Sequence, residues 1–117
     1  MKLGIHAYAW CSTFSNETLG LIDRVKQLGL DFIEIPLMRL DLLDSKAVKS
    51  RLETMGLAAC TSTVLLGETD ITSDDPAVRK KGVEYLKACV QATRDIGARN
   101  FSGVIYSKHI RRVPERQ

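Results

Sequence analysis

Apolar and polar positions along this 117-residue chain follow two periods in turn, one of two residues and one of three to four. Short runs rich in β-branched and aromatic residues read as strands. Longer stretches with apolar residues three and four apart read as helices. The change from helix to strand comes at three similar places: Leu28-Gly29-Leu30, Met55-Gly56-Leu57 and Ile96-Gly97-Ala98. A glycine just past a helix adopts the left-handed conformation that closes it, and the chain can turn directly into a strand.

The elements are laid out around those glycines. The pattern predicts a first strand over residues 2–8 and a helix over 16–28, capped by Ser15 or Asn16, with Leu21, Ile22, Val25 and Leu28 at helical spacing. A second strand is expected over 31–36. The next helix starts after Asp44 or Ser45 and buries Val48, Leu52 and Met55. A third strand covers 57–63, and a loop of about ten residues ends in Ser73-Asp74-Asp75-Pro76. Acidic residues followed by proline make a strong helix start. The third helix then runs to about Ile96, with Val83, Leu86 and Val90 on one face and the methyl of Thr93 continuing it. A fourth strand covers 100–106.

The order βαβαβαβ with right-handed crossovers gives an α/β fold with parallel strands. Two architectures fit it: the N-terminal half of a (β/α)8 TIM barrel, or part of a doubly wound sheet. The glycine-rich phosphate turn of dinucleotide-binding sheets is missing after the first strand, where Ala9-Trp10-Cys11-Ser12 stands. Residues 1–107 form the expected half barrel, and 108–117 an irregular basic tail.

Composition changes little in this picture. The chain is 44% hydrophobic and 26% charged, as in ordinary globular domains. The net charge of +3 belongs to the tail, where Lys108, Arg111, Arg112 and Arg116 face only Glu115. The rest of the chain is balanced, with no nucleic-acid signature. No apolar run is long enough for a bilayer. The N-terminus lacks the apolar stretch of a signal peptide, so a cytoplasmic location is expected. Cys11, Cys60 and Cys89 are odd in number and widely spaced, which reads as reduced thiols rather than a disulfide or zinc motif.

The candidate chemistry follows from strand alternation. Ile33 and Ile35 suit the layer beneath the helices, so Glu34 points to the other face near the end of its strand. Functional groups in such barrels sit at the C-terminal strand ends. His6 and Tyr8 share a face of the first strand, and Tyr106 and Ser107 close the fourth. These residues suggest a polar-aromatic rim suited to a small polyol or sugar. A structural carboxylate at Glu34, a structural histidine at His6 and mouth-filling by Tyr8 and Trp10 are the alternatives. Ser12, Ser15 and Ser62 have no motif of an activated serine. The two histidines, His6 and His109, form no metal-binding pair.

Gly4-Ile5-His6-Ala7-Tyr8-Ala9-Trp10 and Leu28-Gly29-Leu30-Asp31-Phe32-Ile33-Glu34-Ile35 resemble the ketose 3-epimerase group (D-tagatose and D-psicose 3-epimerases) of the xylose isomerase-like TIM barrels. The stretch from Ser73 to Arg79 and the run Phe101-Ser102-Gly103-Val104-Ile105-Tyr106-Ser107 continue the likeness, which covers about residues 2–107. The resemblance implies a metal-dependent isomerase of carbohydrate metabolism. Mn²⁺ or Mg²⁺ holds the sugar oxygens, and two glutamates on opposite faces move the C3 proton. It also implies that the metal ligands and catalytic glutamates come from the fifth to eighth strands. The expectation is therefore no catalytic or metal-ligating residue in this chain and no cofactor for it alone. His6, Tyr8, Glu34, Tyr106 and Ser107 are the substrate-side residues carried over, although His6 stands where the family often has an aromatic residue.

Three functional readings result. One is a shortened isomerase-family chain whose activity needs the rest of the barrel and whose substrate is a ketose or related sugar. The other is a non-catalytic half barrel that serves in assembly or binding, forming a homo-oligomer through its open sheet edges. Neither of these involves a nucleic acid or a membrane; the third is a basic tail, 108–117, that binds anions or nucleic acid.

Overall fold

A computed structural model describes residues 1–110. Four strands, β1 (Gly4–His6), β2 (Phe32–Pro36), β3 (Ala58–Val64) and β4 (Phe101–Val104), form one sheet in the order β1-β2-β3-β4. Every pairing is parallel. Three helices, α1 (Gly20–Gln27), α2 (Ser45–Met55) and α3 (Pro76–Asp95), connect them. This is the expected βαβαβαβ order. The basic residues Arg111, Arg112 and Arg116 of the tail lie outside the described residues.

The helix ends explain the repetition. Gly29, Gly56 and Gly97 have φ of 76°, 60° and 82°. At each, the same two hydrogen bonds close the helix. Gly29 N donates to Lys26 O and Leu30 N to Val25 O; Gly56 N to Glu53 O and Leu57 N to Leu52 O; Gly97 N to Arg94 O and Ala98 N to Thr93 O. This is the Schellman arrangement, which satisfies carbonyls that the helix leaves unpaired. The helix starts are equally local. The Asp44 carboxylate accepts from Ala47 N at 3.1 Å, and that of Asp75 from Ala77 N at 2.9 Å with Pro76 in the first turn. Ser15 and Thr18 form a capping box, but around a 3₁₀ turn over Asn16–Thr18 that leads into the shorter α1.

The core lies between the sheet's outer face and the helices. Ile33 and Ile35 are wholly buried there with Ile22, Val25, Val48 and Ile96. Thr61 and Thr63 of β3 are buried on the same side, and their hydroxyls are paired. Thr61 Oγ1 lies 2.7 Å from Thr93 Oγ1, which donates to Cys89 O. Thr63 Oγ1 lies 2.6 Å from the Tyr85 hydroxyl, which donates to Leu37 O. Burial pushes the Tyr85 phenol up to about 12.

Four expectations need correction. The first strand ends at His6, and residues Ala7–Ala9 form a 3₁₀ turn, because the His6 side chain caps it. The fourth strand is only Phe101–Val104, so Tyr106 and Ser107 lie past it. Leu28 is exposed, since it sits at the cap of α1 where the chain leaves the core. The valine face of α3 also points outward: Val83 is 43% and Val90 56% exposed. The buried face carries the small residues Gly82, Cys89, Ala92 and Thr93 instead. Small residues allow close approach. A Cβ on Gly82 would lie 2.3 Å from Thr69 O.

Gly103 is the tightest point in the sheet. Its φ is +126°, and a Cβ there would lie 2.0 Å from Thr63 O. Gly103→Ala is therefore expected to destabilise the chain by more than about 1 kcal/mol in urea unfolding. Gly20, helical and with nothing within 4 Å, should tolerate alanine or gain about 0.4–1 kcal/mol. Equal midpoints for the two variants would contradict this packing.

Candidate functional site

The sheet's inner face is set by the parity of its strands. His6, Glu34 and Cys60 are register partners across β1, β2 and β3. Because Ile33 and Ile35 are committed to the core, Glu34 projects to the opposite side, and the parallel register brings His6 and Cys60 beside it.

The contacts form a single polar cluster. His6 Nε2 lies 3.1 Å from Glu34 Oε2 and 3.2 Å from Ser62 Oγ. Cys60 Sγ reaches Glu34 Oε1 at 3.8 Å. The Tyr8 amide donates to His6 Nδ1 at 3.0 Å. An amide N–H always donates, so Nδ1 carries the lone pair and, in the neutral ring, Nε2 carries the proton. His6 therefore donates from Nε2, while both oxygens of Glu34 accept. The Tyr8 ring packs on the imidazole with centroids 4.5 Å apart. Beyond it, Tyr8, Trp10, Cys11 and Ser12 line an open cleft.

Electrostatics follow from this packing. Burial, and then the nearby Glu34 carboxylate, push the Cys60 thiol above its ordinary range. Burial is also the main cause that raises Tyr8, with Cys11 adding to it. On the outer side of the rim, the Arg24 guanidinium sits 5.1 Å from the Trp10 ring centroid.

Of the sequence-derived site residues, the structure brings His6, Tyr8 and Glu34 together. Tyr106 is 72% exposed past β4, and the Ser107 hydroxyl turns to Lys108 O at 3.2 Å. That segment is held from below. Lys108 N donates to the buried Asp70 carboxylate at 3.1 Å and His109 N to Leu65 O at 2.8 Å. Two members of the cluster, Cys60 and Ser62, escaped the sequence reading. The available signal was parity: with Thr61 and Thr63 facing the helices, Cys60 and Ser62 face inward.

Among the described residues, no three His, Cys, Asp or Glu side chains are gathered so as to hold a metal ion. The donor chemistry agrees, because the His6 nitrogen nearest Glu34 carries a proton rather than a free lone pair. These residues do not fit the divalent-ion site that the resemblance implies. Among the described residues, no helix is long and apolar enough to cross a membrane.

Comparison with known proteins bears on what this face meets. No family model matches the chain. It is 40% identical over 108 residues to a ketose 3-epimerase of Arthrobacter globiformis, covering 92% of this chain. It is 32% identical over 109 residues to an L-ribulose 3-epimerase of Mesorhizobium japonicum. In both cases the chain spans 37% of the relative's length. Its fold matches a D-allulose 3-epimerase from Methylomonas sp., determined in complex with D-allulose, with a TM-score of 0.86 at 32% identity. That match covers 92% of this chain and 38% of the other. A structure of L-ribulose 3-epimerase gives a TM-score of 0.88 at 28% identity, over 100% of this chain and 40% of that one.

Glu34 and Cys60 can be tested against each other. Glu34→Gln removes the like charge that helps hold the Cys60 thiol protonated, so alkylation of Cys60 at pH 8 should quicken severalfold. Cys89, on the buried face of α3, should stay slow. An unchanged Cys60 rate, read by peptide mapping, would contradict the contact.

Proposed function

We infer that this chain, a homologue of the N-terminal part of the ketose 3-epimerases, supplies the first strands of an epimerase barrel and the sugar-facing rim built on them. The observation that carries the reading is the inward cluster of His6, Glu34 and Ser62 at the strand ends, on a backbone matched by sugar epimerases. The substrate class is a free ketose or a related sugar, and the overall reaction is inversion at its C3.

Each rim residue has a physical task. Glu34 accepts hydrogen bonds, and a carboxylate acceptor holds a sugar hydroxyl more strongly than a neutral one. His6 is tied to both Glu34 and the Tyr8 amide, which keeps the carboxylate oriented. Ser62 offers a hydroxyl beside them. The aromatic faces of Tyr8 and Trp10 suit the apolar C–H surface of a sugar. Tyr106 and Ser107 sit on the segment anchored by Asp70 and line the other side of the mouth in this proposal. Mn²⁺ or Mg²⁺ would supply enediolate stabilisation in a whole epimerase. The residues described here do not hold it, so no step of this chain is routed through it. The unpaired thiols suit a reducing, cytoplasmic setting.

A chimera tests the reading. Residues 1–107 replacing the matching segment of a full-length ketose 3-epimerase should give a protein that interconverts ketose C3 epimers. Glu34→Gln in that chimera should lower kcat/KM at least about tenfold, the worth of one hydrogen bond to a charged group. A folded but inactive chimera, or an unchanged kcat/KM, contradicts it.

A second reading, assembly, is favoured by the sheet itself. In the described chain β1 and β4 are both edge strands, and α3 turns Val83, Leu86 and Val90 outward beside Ile71. Open edges and apolar faces favour association. Light scattering of the purified chain should show a dimer or larger species, whereas a monomer at high concentration would remove this reading.

A further inference from the structure

We propose that His6 is a proton-operated switch for the rim turn Ala7–Ala9: a proton gained at Nδ1 removes the acceptor that caps the turn and releases Tyr8 and Trp10. This goes beyond the ketose reading and does not depend on it.

The two imidazole nitrogens hold opposite roles. Nδ1 accepts from the Tyr8 amide at 3.0 Å and so caps the 3₁₀ turn. Nε2 faces Glu34 at 3.1 Å and Ser62 at 3.2 Å. The neutral ring, protonated on Nε2, satisfies both sides. The imidazolium satisfies only one. Its Nε2 keeps Glu34, now as an opposite charge, but its Nδ1–H points at another donor. Nε2 keeps its carboxylate partner in either state, so the conflict falls on the turn.

The turn carries what lines the cleft. Trp10 N closes it by donating to Ala7 O at 3.0 Å, and Cys11 N donates to the same carbonyl at 3.2 Å. The Tyr8 ring rests on the imidazole. Opening the turn therefore moves Tyr8 and Trp10 together.

Histidine is the side chain whose charge ordinarily changes between pH 5 and 8. From β2 His6 faces Glu34, and from β3 Ser62 and, through Glu34, Cys60. Following it are Tyr8 and Cys11, and α1 sets Arg24 over Trp10. Tyr8, Cys11 and Cys60 are all pushed upward and stay neutral across that interval.

Trp10 is the protein's one tryptophan, which makes its emission a clean reporter. The experiment follows Trp10 fluorescence from pH 5 to 8 in the unmodified protein, in His109→Asn and in His6→Asn. Asparagine can accept from the amide two residues on but does not titrate. A single-proton transition is expected in the first two proteins and its loss in the third. A flat profile in the unmodified protein, or a transition that survives His6→Asn, overturns the proposal. Hydrogen exchange at the Tyr8 amide of the unmodified protein decides the matter even if the variant fails to fold. Corrected for intrinsic exchange, protection should fall about five- to tenfold from pH 8 to 5.5, the worth of one net hydrogen bond. Equal protection at both pH values overturns the proposal.

Discussion

A parallel sheet of this kind has one face that the connecting helices must cover, and that demand governs the rest of the molecule. Ile33 and Ile35 are drawn completely into the layer beneath the helices. Burying two such side chains favours folding by roughly 3–6 kcal/mol on simple transfer grounds. A slip of one residue would exchange them for Phe32, Glu34 and Pro36 and place a carboxylate in the core. The direction of Glu34 is thus a consequence of hydrophobic burial on the other side of its own strand. The parallel register carries that choice to His6 and Cys60.

Thr61 and Thr63 show how β3 meets the same demand with polar residues. They are β-branched, as strands favour, and their hydroxyls are consumed by Thr93 and Tyr85. Among the described side chains, no buried polar atom is left without a partner. The small residues of α3 belong to the same arrangement. Gly82, Cys89 and Ala92 let the helix approach closely enough for Thr93 and Tyr85 to reach the strand. Mechanics and chemistry therefore share one framework: what settles β3 against α3 also turns Cys60 and Ser62 inward.

Much of the fold was legible in the sequence because its determinants are local. The three helix-closing glycines, the Asp44 and Asp75 caps and the isoleucine pair each act within a few residues. What escaped depends on distance in space. The valines of α3 look like a core stripe because they are its larger apolar residues, yet close packing selected the small ones on the opposite side. Residues 2–8 read as a strand, but the imidazole of His6 turns back to cap the Tyr8 amide and ends it. His6 and Glu34 were identifiable as neighbours on one face. Ser62 joined them only once the register of β2 against β3 was known. The fourth strand, expected over 100–106, ends at Val104, short of Tyr106 and Ser107.

The proposed role of the inner face around Glu34 is to receive a sugar. Chemical-shift mapping of the isotope-labelled chain during titration with a free ketose such as D-allulose tests it most directly. Saturable shifts are expected at His6, Tyr8, Trp10, Glu34 and Ser62, and their loss in Glu34→Gln. Shifts confined to the cleft at the other end of the sheet, around Lys49, Glu53 and Arg99, or none at all, would contradict it.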